Sequence, residues 1–99
     1  MAGFVQIIEF QTSRMDEIRQ LVEEMRSDLG PGFEGRGTVT VDRDRAGHYL
    51  NIVEFESYDS AMENSARPEI GRFAARMAEL CDEPPRFYNL DVVEEWQEE

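Results

Sequence analysis

The chain has 99 residues, room for one hydrophobic core and not two. Its charge is strongly acidic, 22 Asp and Glu against ten Arg and no Lys, for a formal net charge of −12. That balance argues against nucleic acid, whose phosphates need clustered cations, and against docking on an anionic membrane.

Residues 3–10, GFVQIIEF, are β-branched and aromatic with no breaker after Gly3, and read as a strand. Ser13 offers an N-cap with Asp16 three residues on, as in a capping box. From there Met15, Ile18, Leu21, Val22, Met25 and Leu29 recur at helical spacing, and Gly30-Pro31-Gly32 stops the helix. Phe33 to Arg36 lead into a second strand over about Gly37 to Arg43. A turn at Asp44 to Gly47 joins it to a third strand, HYLNIVEFE, over residues 48–56, making a hairpin. Ser57 can cap a helix from Tyr58, which Pro68 interrupts. A stronger helix follows with Ile70, Phe73, Ala74, Met77 and Leu80 on one side, closed by Pro84-Pro85. RFYNLDVV, residues 86–93, is the last strand, and an acidic tail carries Trp96, which we assign to packing or to contact with a partner subunit.

The order is β-α-β-β-α-β. Two right-handed crossovers around a hairpin give a ferredoxin-like α+β domain, a four-stranded antiparallel sheet with the helices on one face. The other face needs cover, and a second copy is the expected cover, so a homodimer is expected.

Alternation splits each strand into two sets. Val5, Ile7, Leu50, Ile52, Tyr88, Leu90 and Val92 are mostly aliphatic and are expected to face the helices. Phe4, Gln6, Ile8, Phe10, Tyr49, Asn51, Val53, Phe55, Phe87, Asn89, Asp91 and Val93 mix rings with amides and are expected to face away. Gln6, Asn51 and Asn89 on neighbouring strands suit either a small-molecule pocket or hydrogen bonding across a dimer interface.

The segment Val53-Glu54-Phe55-Glu56-Ser57-Tyr58-Asp59-Ser60-Ala61-Met62 ends a strand in Glu-aromatic-x-Ser and opens a helix with aromatic-Asp-x-x-Ala. It resembles the dimeric α/β-barrel superfamily, and within it the antibiotic-biosynthesis-monooxygenase-like family. The resemblance implies two four-stranded sheets forming one barrel, with a pocket in each subunit between sheet and helices or inside the barrel. It also implies either oxygenation of polyphenolic substrates without metal or flavin, haem degradation, or no known activity. Members often carry a His early in the second helical region. Here that stretch reads Glu63-Asn64-Ser65-Ala66-Arg67, with Asn64 the nearest stand-in, unable to act as a general base or to hold iron.

His48, the sole histidine, opens the third strand beside a Gly turn and has no partner for a metal site. Cys81 can form no intrachain disulfide and reads as a small buried hydrophobe. Gly30, Gly32, Gly35 and Gly37 precede a strand and make no phosphate loop. No Ser-His-Asp arrangement can be drawn. Glu9 and Glu54 could form a carboxylate couple, or be rim residues facing water or Arg72 and Arg76. No cofactor and no metal are expected.

Two functions follow. One is cofactor-independent oxygenation of a small aromatic or polyketide-like molecule, with Gln6, Asn51, Asn64 and Asn89 as neutral donors and Phe4, Tyr49, Phe55 and Phe87 as walls. The alternative is a non-catalytic small-ligand-binding or structural homodimer. No signal peptide and no run of the about 20 apolar residues that span a bilayer are seen, so the expected site of action is the cytoplasm.

Overall fold

Eight residues of the first strand, β1 (Phe4–Gln11), pair antiparallel with β3 (His48–Phe55) on one side and β4 (Arg86–Asp91) on the other. Strand β2 (Arg36–Val41) pairs with β3, so the sheet order is β2-β3-β1-β4. Helices α1 (Met15–Leu29), α2 (Tyr58–Ser65) and α3 (Pro68–Leu80) complete the fold. The expected ferredoxin-like architecture is present, its second helical region divided at Pro68, which occupies the first turn of α3 where its missing N–H costs nothing. These coordinates are a computed structural model and describe residues 3–30 and 35–97. The helix stop at Pro31-Gly32 and the lead-in at Phe33 lie outside the described residues.

The local chemistry departs from expectation at one cap and agrees at another. Ser57 caps α2 as expected, its Oγ accepting from the Ser60 N–H at 3.1 Å. Ser13 does not cap α1. Arg14 holds that position, while Arg14 N–H donates to Thr12 Oγ1 at 2.9 Å, and Thr12 in turn donates to the Leu80 carbonyl at 2.7 Å. Thr12 is buried, so satisfying its hydroxyl at the junction of two elements outweighs the capping box read from Ser13 and Asp16. Arg14 pairs with Glu17 instead.

The two faces of the sheet are the reverse of the sequence expectation. Phe4, Ile8, Phe10 and Phe55 are buried, and the main core joins Ile8 and Phe10 to Ile18 and Leu21 of α1 and Phe73 and Met77 of α3. The register places Gln6, Asn51, Val53, Phe87 and Asn89 on that same helix-facing side. Val5, Ile7, Leu50, Ile52, Tyr88 and Leu90 lie on the outer face, in rows with Thr38, Thr40, Glu9, Glu54, Arg36 and Arg86. The reason is visible in the rows: the aliphatic set carries Glu9 and Glu54, carboxylates that helices could not cover without partners.

A candidate cavity between sheet and helices

Helix α3 carries a stripe of small residues, Gly71, Ala74 and Ala78, spaced by three and four positions and so on one face. Where a helix offers no bulk against a sheet, a void remains unless the sheet fills it. Opposite this stripe the sheet offers Gln6, Asn51 and Val53. The result is a cavity of about 310 Å³, within the usual range for small-molecule sites. Ile8, Met25, Phe55, Phe73, Met77 and Phe87 form its apolar walls; Gln6, Asn51, Asn64 and Ser65 are its polar groups. Adding a Cβ at Gly71 would meet nothing within 4 Å, so the space is open there.

Of the eight residues singled out from sequence, five line this cavity: Gln6, Asn51, Phe55, Asn64 and Phe87. Asn89 stands behind them, accepting a hydrogen bond from Gln6 Nε2 at 3.1 Å and so fixing the Gln6 carbonyl toward other partners. Tyr49 belongs to an adjoining open groove of about 580 Å³ between α1 and the β2–β3 hairpin, stacked on Phe10 with ring centroids 5.4 Å apart. Phe4 lies in a separate small core with Phe55 and Ala61, its ring meeting the edge of Tyr58 at 5.4 Å. Cavity and groove share Asn51, Phe73 and Met77 as a common wall.

Met25, Ser65, Ile70, Gly71, Phe73, Ala74, Met77, Ala78 and Pro85 were not singled out, because apolar helix positions read first as core. The signal that could have found them is the Gly71-Ala74-Ala78 spacing on the face that also carries Phe73 and Met77.

The polar groups divide into committed and free. Gln6 is held by Asn89, whereas the side-chain amides of Asn51 and Asn64 make no hydrogen bond among the described residues. None of the residues lining the cavity is titratable. Glu9 and Glu54 do not form a couple. The register puts Glu54 opposite Val5 and Glu9 opposite Leu50, toward opposite ends of the sheet and on its outer face. Glu9 accepts from the Tyr88 hydroxyl at 3.4 Å, and Glu54 lies 3.9 Å from Arg36. Arg76 reaches Glu24 rather than either of them.

Cys81 ends α3, packed against the main core. Partial burial, helped by neighbouring Asp82, pushes its thiol pKa up and makes it a poor nucleophile. Among the described residues no group of three or more His, Cys, Asp or Glu is placed to hold a metal ion. No helix among them is long and apolar enough to cross a membrane.

No family model matches the sequence. No curated protein matches it either. Solved structures do match, over almost the whole chain. SnoaB of Streptomyces nogalater, a cofactor-independent oxygenase, superposes with a TM-score of 0.77 at 18% identity, covering 99% of this chain and 100% of its own. An asparagine-to-alanine variant of SnoaB gives 0.81 at 14% identity, covering 99% and 100%. An antibiotic biosynthesis monooxygenase gives 0.72 at 15% identity, covering 92% and 99%. A conserved protein from Methanosarcina mazei Go1 gives 0.79 at 10% identity, covering 92% and 93%. The chain thus has the ferredoxin-like fold of the antibiotic-biosynthesis-monooxygenase-like proteins, at identities where likeness extends to fold.

Proposed function

We propose that the protein is a cofactor-independent oxygenase acting on a small aromatic or polyketide-like molecule held in the cavity between sheet and helices. The observation that carries this reading is the cavity itself: apolar walls, two free amides and no titratable group in its lining. A substrate that ionises to a phenolate or enolate brings its own electrons. One atom of dioxygen enters a ring carbon, the other leaves as water, and a CH₂ becomes a carbonyl. The protein's share is to exclude water and to hold the developing oxyanion with neutral donors, here the amides of Asn51 and Asn64. In this reading the chain works as a cytoplasmic homodimer, without haem, flavin or metal, its outer aliphatic face against a second copy.

The missing base favours a second reading, a dimer that binds the same class of ligand without turning it over. One experiment separates the two. The purified protein is incubated with anthrone in air, following binding by calorimetry and oxygen uptake by electrode. Uptake with a pH dependence that tracks the ionisation of anthrone supports the oxygenase. Binding without uptake supports the second reading, and no binding at millimolar ligand rejects both.

A further inference from the structure

Gln6 stands between two amide neighbours on the helix-facing side of the sheet. Asn89 of β4 is directly opposite it, and Asn51 of β3 lies on the diagonal, since Gln6 pairs with Val53 and Ile8 with Asn51. Gln6 Nε2 donates to Asn89 Oδ1 at 3.1 Å, and the Gln6 carbonyl oxygen accepts nothing among the described residues. With the nitrogen drawn toward β4, the oxygen on the other branch of the amide is turned from it, to the cavity that Gln6 lines. The cavity thus holds one amide fixed in a single sense, as an acceptor.

That fixed sense bears on what the cavity selects. The amides of Asn51 and Asn64 are unheld and can turn either end to a ligand. Gln6 is oriented before any ligand arrives, so it discriminates without a further loss of side-chain freedom. A fixed carbonyl accepts from a ligand O–H, but it meets an ether oxygen or an anion with its own lone pairs. A hydrogen bond to the neutral form of an acid disfavours its ionisation. A phenol seated on Gln6 therefore stays protonated, and ionisation is confined to the ligand oxygen at Asn51 and Asn64. Diagonal residues of an antiparallel pair stand about 7–8 Å apart, a span bridged by one aromatic ring with oxygens at opposite ends.

We propose that Gln6, positioned by Asn89, is the specificity-determining acceptor of the cavity, and that its ligand is a phenolic ketone whose un-ionised hydroxyl lies across a ring from its carbonyl. This selectivity rests on the cavity of the preceding reading, and a pair of ligands keeps the two failures apart. Calorimetry on the full chain compares a hydroxytetralone, with hydroxyl and ketone at opposite ends of its aromatic ring, with the methyl ether of the same compound. The pH is one at which the phenol is neutral. The phenol is expected to bind about tenfold more tightly than the ether. Gln6→Met keeps the length of the side chain but not the acceptor, and brings the two affinities within about twofold. Asn89→Leu does the same by releasing Gln6, whereas Asn89→Asp, which can only accept from Gln6 Nε2, retains the preference. Asn51→Ala weakens both ligands together and leaves their ratio. No binding of either ligand at millimolar concentration overturns the cavity reading and the selectivity with it. Equal binding of phenol and ether overturns the selectivity and leaves the cavity. A preference that survives Gln6→Met, both affinities falling together, makes Gln6 merely structural and overturns its role. Loss of the preference in Asn89→Asp as well as in Asn89→Leu overturns the positioning by Asn89.

Discussion

Asn51 presents its amide to a cavity and finds no partner for it among the described residues, so its contribution should appear in binding and not in folding. Asn51→Ala is expected to shift the melting temperature by no more than about 2 °C, equivalent to less than 0.5 kcal/mol. The same change should weaken binding of a phenolic ligand by roughly tenfold, one hydrogen bond's worth. Thermal denaturation and calorimetry on one preparation check both parts; a large loss of stability would mean that the amide is structural. A second residue carries the pH dependence of the hairpin. Asp42 accepts from Arg45 Nε at 2.8 Å and from the Asp44 N–H at 2.9 Å, and these bonds hold its carboxyl below the ordinary 3.8. A carboxyl with a lowered folded pKa stabilises fully above its unfolded value, and that support is lost as the pH falls through the folded value. The amide proton of Asp44 should therefore titrate with a midpoint below 3.8. A midpoint at or above that value would show that Arg45 does not engage Asp42.

At the scale of elements, strands, helices and their order were legible, because β-branched runs, helical spacing and the Gly and Pro punctuation are local signals. The direction of the sheet faces was not. A sheet with helices on one side and an aliphatic surface on the other shows apolar residues at both phases of the alternation, so period two alone cannot say which phase meets the helices. The amides drew the assignment the wrong way, since a core was expected to exclude Gln6 and Asn51. The charges held the answer: Glu9, Glu54 and Arg86 share the phase of Val5, Ile7 and Tyr88. The cavity residues on the strands were found for their chemistry despite that error. Those on α3 were missed, because what makes a cavity there is the absence of bulk at Gly71, Ala74 and Ala78.

Two substitutions test this layer. Ile18, 1% exposed in the main core, is the largest fully buried side chain among the described residues, and Ile18→Ala should cost about 2–5 kcal/mol in urea unfolding. Gly71→Leu should act oppositely. Replacing a helical glycine that faces open space recovers roughly 0.5–1 kcal/mol of helix propensity, while the new side chain occupies the cavity. The variant should melt no lower than the parent and bind no aromatic ligand. Retained affinity would place the ligand elsewhere.

The whole molecule is a slab, 35 × 34 × 22 Å, the short axis being one sheet and one layer of helices. It exposes 7312 Å², against about 5,800 Å² for a globular monomer of its mass. The excess of roughly 1,500 Å² is about twice the ~800 Å² that each partner contributes to a standard protein interface, and the outer aliphatic face is where it can be recovered. Light scattering at micromolar concentration should accordingly return a dimer, and a monodisperse monomer would remove the homodimer reading.

Strand β2 has a colloidal consequence of its own. Its sequence RGTVTV ends in four consecutive β-branched residues without proline or bulge, and it lies at an edge of the sheet, able to template further strands. What keeps such an edge from recruiting its like in a concentrated solution is mutual repulsion between molecules of charge −12. That repulsion vanishes near the isoelectric point of 4.4, so turbidity and thioflavin binding should rise together there and be suppressed by Val39→Lys, which places a charge on the edge.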